Sequence, residues 1–439
     1  MKNTFLLLLA IAFSGLGCTA QISPANSKNN SNQINQQQQQ TQTQTQNQNQ
    51  NPYPGKQNAV YPGFSNNETD VVNAEDTVKI AAVKTPNEPN EADNIEVAIL
   101  LDTSNSMDGL IDQAKSQLWK MVNELTLAKN ERGVTPHIKI ALYDYGNDRL
   151  SSKYGYIKQI APLTADLDLI SEKLFGLNTN GGEEYCGWVM RTSTDELEWS
   201  TDQRDLKMMF ICGNEPFDQG PVNPKEQCKK TTQKGIIINT IFCGSYEEGV
   251  RTGWKDGADC GNGKYFNIEQ NNQILHVDAP QDDEILRLNQ ELNSTYIAIG
   301  RDGISKKERQ AMQDNNAGSY GKANATQRAI SKSKAAYKND DWDAVDAYES
   351  APASIEKLAE DDLPSELKGK SKDEIKQYIE TQSVKRKEIQ VKINDLDTER
   401  RKYVAEKQAE MAKTGKNTLD EVMLKTIRDQ GTKAGLNFE

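Results

Sequence analysis

The run Ile95-Glu96-Val97-Ala98-Ile99-Leu100-Leu101 ends on Asp102, and Thr103-Ser104-Asn105-Ser106-Met107 follows at once. A stretch this apolar and this short suits a central parallel strand buried on both faces. It puts a carboxylate and two hydroxyls on the turn that leaves the strand. The next segment, Leu110 to Leu125, carries apolar residues at helical spacing: Leu110, Ile111, Ala114, Leu118, Met121, Val122 and Leu125. The same alternation continues. Strands are expected over Ile138–Tyr143, Tyr156–Leu163, Leu206–Ile211, Ile236–Phe242 and Gly263–Ile268, with helices over Leu167–Leu174 and Pro224–Lys234. Strand and helix alternating at this interval predict an α/β domain with a mainly parallel sheet, here residues 93–300. Ligands of such sheets bind at the carboxyl ends of the strands, near the topological switch point.

Composition shows how much of the chain this domain leaves over. Hydrophobic residues make up 36% and the mean hydropathy is -0.77, so part of the chain cannot bury a core and the rest must concentrate its apolar residues. Residues 21–92 are the polar part, with Gln36 to Gln40 followed by Thr/Gln and Asn/Gln alternation up to Asn51. Such a segment cannot offset its chain entropy by burial and is expected to serve as a tether. From residue 305 glycine and β-branched residues thin out. Ile375, Ile379, Ile389, Ile393, Leu396 and Tyr403 recur at 3- and 4-residue spacing, interrupted by Arg386, Arg400 and Lys407. A helical hairpin or short coiled coil is expected over 305–413, and a loosely held tail over 414–439.

Charge and side-chain counts narrow the function. A net charge of -12 argues against nucleic acid or an anionic membrane surface as main partner, since both need clustered cations. The two histidines, His137 and His276, exclude a multi-histidine zinc site, and each reads as a strand-edge or loop residue. Lys2, the apolar run Phe5 to Phe13 and the small residues before Cys18 form an export segment too short to span a bilayer. The segment resembles the lipobox of bacterial lipoproteins, which implies lipidation of Cys18, a membrane anchor and a cell-envelope location. Gly15 stands where that family usually has Leu, and cleavage after Ala20 is the alternative. Of the other five cysteines (Cys186, Cys212, Cys228, Cys243 and Cys260), an oxidising compartment would join two or four. Cys212 and Cys243 end apolar runs and read as small buried hydrophobes.

The oxygen-rich turn carries the chemistry. Asp102, Ser104 and Ser106 alternate along it, and hard oxygen ligands at a strand end suit Mg²⁺, which keeps several waters and needs ligands from other loops. The same residues could instead simply cap the first helix. A strand followed by D-T-S-x-S-M resembles the metal-ion-dependent adhesion site of von Willebrand factor type A (vWA) domains, and the resemblance runs over about residues 94–270. It implies a Rossmann-like vWA fold, with Asp102, Ser104 and Ser106 holding the ion directly or through water. The sequence departs from the family in two loops. Thr179 precedes the pair Gly181-Gly182, with Glu184 as its substitute, and Cys212-Gly213-Asn214-Glu215 replaces the usual Thr-Asp-Gly. Asn214 or Glu215 would then serve, and the ion could be Ca²⁺ or Mn²⁺.

The expected function is a non-enzymatic binder whose ion takes an acidic group of a protein partner, or a glycan group. No G-x-S-x-G, Walker, G-x-G-x-x-G or H-E-x-x-H motif is present. A scaffold acting through its helical region is the alternative, and a hydrolase using Asp102 or Glu184 stands behind it.

Overall fold

The first strand, β1 (Asn94–Asp102), is buried from Ile95 onward, as a central strand must be. Its odd residues Ile95, Val97, Ile99 and Leu101 enter one core, and Ala98 and Leu100 enter the other. This computed structural model describes residues 94–268, 277–411 and 419–438, all within one compact unit that spans Val83–Glu439. The expected export segment with Cys18, the expected linker 21–92 and His276 lie outside the described residues.

After β1 come α1 (Asp108–Leu125), the short β2 (Ala128–Lys129), β3 (His137–Tyr145), β4 (Ile157–Thr164) and α2 (Leu167–Phe175). Then follow α3 (Cys186–Glu196), β5 (Leu206–Gly213), α4 (Pro224–Gln233), β6 (Ile236–Cys243), α5 (Tyr246–Arg251), α6 (Trp254–Cys260) and β7 (Asn262–Ile268). The sheet order is β4-β3-β1-β5-β6-β7, parallel throughout except for the antiparallel edge strand β4. The chain leaves β1 for a neighbour on one side and later returns to β5 on the other. The switch point therefore falls between β1 and β5, at the end of β1 that carries Asp102. This is the α/β architecture the alternation predicts, with His137 exposed at the start of β3. The helix α3 was not foreseen, because it begins with Cys186-Gly187 and has only a weak apolar stripe.

The helical part is continuous with this core. It consists of α7 (Asp282–Asn293), α8 (Gly303–Ser319), α9 (Lys322–Ser333), α10 (Ala344–Ser350), α11 (Lys372–Met411) and α12 (Leu419–Lys433), then β8 (Asn437–Phe438). Helix α1 lies between the sheet and this layer, packed on α9 and α12. A single apolar cluster accordingly runs from Ile95 and Leu118 to Ile330, Trp342, Ile393 and Ile427. Residues beyond 300 are thus the outer cover of the α/β core.

Two expectations change here. First, α11 makes no coiled coil among the described residues. It is a single 40-residue helix, about 60 Å long, laid across α7, α9 and α10. Arg386 and Arg400 stand on its buried face because acids wait for them. Arg386 Nη1 lies 2.6 Å from both Asp343 and Asp346, and Arg400 Nε lies 2.7 Å from Asp282. Second, most of the expected tail is structured. Met423, Ile427 and Leu436 are buried, and β8 pairs antiparallel with β2. Only residues 414–418 and 439 of that stretch are outside the described set.

Candidate metal centre at the strand ends

Asp102 is the last residue of β1 and is fully buried. Its Oδ1 accepts a 2.7 Å hydrogen bond from the Ser104 amide, while Oδ2 is buried without a hydrogen-bond partner. A buried carboxylate oxygen left unpaired is costly, so it marks a place where something is missing. Burial pushes the Asp102 carboxyl up to about 8; the Ser104 amide opposes this, and the charges of Glu184 and Glu215 add to it. Both charges named are negative.

The two hydroxyls are not helix caps. Neither Ser104, before the short turn Asn105–Met107, nor Met107, before α1, makes a side-chain cap. The hydroxyls of Ser104 and Ser106 lie 3.0 Å from each other instead. Asn214, just past β5, donates from Nδ2 to Ser106 Oγ at 3.1 Å, and its Oδ1 is buried without a partner. The first and third loops thus meet at Ser106. Glu215 is exposed, but its backbone is anchored: Trp254 Nε1 donates to its carbonyl at 2.7 Å.

The second loop closes on Asp102 from the other side. Gly146, at the turn after β3, has a φ of +78°, and a Cβ there would lie 2.8 Å from both Asp102 Oδ1 and Glu184 Cγ. Only glycine allows the backbone and these two acids to come so close. Gly182 is equally constrained, since its Cβ would sit 2.5 Å from the Gly146 carbonyl. Glu184 is buried. Burial first, then the Glu215 charge, raises its carboxyl to about 7, although Gln219 Nε2 approaches its Oε2 at 3.5 Å. The geometry thus gathers Asp102, Ser104, Ser106, Glu184 and Asn214, with Glu215 near enough to act on two of the carboxyls. Thr179 stands apart: its hydroxyl donates to Asp108 at the start of α1.

Several residues that build the site were not foreseen. Thr103 turns away from Asp102, and its hydroxyl donates to Asp144, while Asn147 Nδ2 donates back to Thr103 Oγ1 at 3.2 Å. The Asn180 amide donates to the Thr103 carbonyl at 2.9 Å, which ties the second loop to the first. Tyr145 donates to the Cys212 carbonyl at 2.9 Å and joins β3 to the end of β5. Thr103 lies within the D-T-S-x-S-M turn, but its bonds to Asp144 and Asn147, like the other two contacts, are recognisable only once the strand ends are side by side.

The residues fit a hard divalent cation. Among the described residues no three His, Cys, Asp or Glu side chains form a metal-holding group, so an ion held here would need hydroxyl and amide oxygens beside the acids. The two orphaned oxygens, Asp102 Oδ2 and Asn214 Oδ1, are the acceptors such an ion would satisfy.

The disulfide Cys228–Cys260 links α4 to α6, while Cys186, Cys212 and Cys243 are free and buried. The last two behave as the small hydrophobes expected at the ends of β5 and β6. No helix among the described residues is long and apolar enough to cross a membrane.

No protein-family model matches the chain, and no curated protein matches it. Solved structures do. BatB from Bacteroides thetaiotaomicron is similar at 16% identity over 40% of this chain and 90% of its own, with a TM-score of 0.30. The SpRpn10 VWA domain is similar at 14% identity over 41% of this chain and 90% of its own, with a TM-score of 0.31. Proximal thread matrix protein 1 from the mussel byssus, solved with a zinc-occupied MIDAS motif, is similar at 12% identity over 40% of this chain and 42% of its own, with a TM-score of 0.29. At these identities a likeness concerns fold alone.

Proposed function

We propose that this chain is a binding protein whose strand-end site holds a divalent cation, Mg²⁺ or else Ca²⁺ or Mn²⁺, and through it captures a partner. The observation that carries this reading is the buried, unpaired Oδ2 of Asp102, set among hydroxyls and two further acids. Asp102, Ser104 and Ser106 would hold the ion with Asn214 and Glu184, and Glu215 would add charge from the rim. When bound, such an ion acts as a Lewis acid with a coordination position open to an outside oxygen. The partner's contribution would be an acidic side chain of a protein, or a glycan oxygen. The protein's own part is rigidity: Gly146, Asn147 and Thr103 lock the loops so that the acids stay together in the ion's absence.

The chain would act outside the cytoplasm, held to a membrane by lipid on Cys18. The Cys228–Cys260 disulfide supports that compartment.

Calorimetric titration of Mg²⁺, Ca²⁺ and Mn²⁺ into the protein and into Asp102→Ala tests the cation. Saturable heat in the first and none in the second supports the site. Heat in neither overturns it.

A further inference from the structure

The third loop of the strand-end site, Gly213 to Phe217, rests on α6. Besides the bond from Trp254 Nε1 to the Glu215 carbonyl, the Phe217 amide donates to the Thr252 carbonyl at 2.9 Å, just before α6. The Phe217 and Trp254 rings meet edge to face, their centroids 5.2 Å apart. This packing reaches the site itself: a Cβ on Gly213 would lie 3.1 Å from both Asp102 Oδ2 and the Trp254 ring.

The support under that loop is tied down covalently. The disulfide Cys228–Cys260 joins the end of α6 to α4. Lys225 and Asp256 approach across the same pair of helices at 3.9 Å, but an exposed ion pair contributes little. Helix α4 is anchored in turn on α3, where the hydroxyls of Thr194 and Thr231 lie 2.8 Å apart. Since α3 begins at Cys186, directly after Glu184 and Tyr185, the bridge links the supports of the second and third loops. Its two sulfurs differ in access. Cys228 is fully buried, whereas Cys260 is half-buried and lines a cleft of about 410 Å³ beside Pro216, Phe217 and Thr252. Cys186, Cys212 and Cys243 are free and buried, so this is the one reducible bond among the described residues.

We propose that Cys228–Cys260 is a thiol–disulfide exchange site that sets the cation affinity of the strand-end centre, an inference that rests on the cation reading above. A dithiol reductant supplies the two electrons. One of its thiolates attacks Cys260 Sγ from the cleft, a mixed disulfide forms, and Cys228 leaves as a thiolate and takes up a proton. The second thiolate of the reductant then attacks the reductant's own bound sulfur. Cys260 is released and protonated, and the reductant departs as its disulfide. With the bridge open, α6 loses its covalent tie to α4, and the seat of Trp254 and Phe217 loosens. Asn214 and Glu215 then leave their places beside Ser106 and the acids, and the ion loses the third loop.

Calorimetric titration of Mg²⁺ and Ca²⁺ into the full chain tests it, with the protein bridged and after reduction by dithiothreitol that is then removed without air. Affinity is expected to fall roughly tenfold on reduction and to return on reoxidation, with the far-UV circular dichroism unchanged. By reciprocity, saturating cation should shift the ratio of reduced to bridged protein roughly tenfold towards the bridge in a dithiothreitol redox buffer. Trp254→Phe keeps a ring but removes the bond to Glu215. It should weaken the cation by itself and blunt the further effect of reduction. Equal or tighter binding after reduction overturns the switch alone, and so does loss of the whole fold on reduction. Heat in neither form overturns the cation reading, and the switch with it.

Discussion

Two buried polar assemblies in this protein are built on opposite rules. In the helical layer the buried charges around Arg328 are set against their opposites. Arg328 lies 2.7 Å from Asp168 and 2.9 Å from Asp314, and Lys332 lies 2.8 Å from Asp314. The cations hold the Asp314 carboxyl well below the usual range in spite of its burial. Arg328 also stacks 4.2 Å above the Trp119 ring, on α1. At the strand ends the acids Asp102 and Glu184 have no such cations, and their carboxyls are pushed up. The first assembly is balanced in charge and holds the cover to the core. The second sets acids together with no cation beside them among the described residues, and the proposed cation would balance it.

The largest effect expected from breaking this contrast is in the balanced assembly. Arg328→Met leaves Asp168 without the cation that it pairs with and Asp314 with Lys332 alone, and should cost about 3–5 kcal/mol in urea unfolding. A loss below about 1 kcal/mol would mean that the assembly contributes specificity alone.

The pH profile should separate the two next. Without cation, the folded Asp102 keeps its proton up to about 8, against 3.8 for its ordinary value. Its contribution to stability is therefore full below pH 4 and is lost as pH rises towards 8. Asp314 runs the other way: its contribution is present above pH 4 and fades as pH falls below it. Melting curves in EDTA should show Asp102→Asn flattening the loss between pH 4 and 8, an effect of a few kcal/mol at most. A profile unchanged by the substitution would contradict the buried, unpaired carboxyl.

Filling the strand-end site should then stabilise it. A cation at a hundred times its dissociation constant adds about 2.7 kcal/mol, read as a rise in melting temperature that Asp102→Ala abolishes. The smallest effect belongs to exposed pairs. Arg287, bonded to Glu284 and Glu291 on the surface of α7, should cost less than about 1 kcal/mol when replaced by Ala.

How much of this was legible in the sequence follows from range. The strand Ile95–Leu101, the α1 stripe and the Asp102-x-Ser104-x-Ser106 turn were readable because each is a local pattern with a period or a fixed spacing. The sequence-adjacent loops also pointed to Glu184 and Asn214. Arg386 and Arg400 looked like faults in an apolar seam, since their partners Asp343, Asp346 and Asp282 lie about 40 to 120 residues away. The helix α12 was read as a tail because its apolar face, Met423 and Ile427, has meaning only against α1. Likewise nothing in the order of residues says that Thr179 meets Asp108.

The pairing of β8 with β2 has a consequence for the order of events in synthesis. A ribosome delivers Ala128–Lys129 more than three hundred residues before Asn437–Phe438, so the α1 face under α12 stays uncovered until α12 has emerged. The apolar surface of Met423, Ile427 and Leu436 arrives long after the helix that it covers. Sealing of that face thus waits for a segment made more than three hundred residues after the strand that it pairs with.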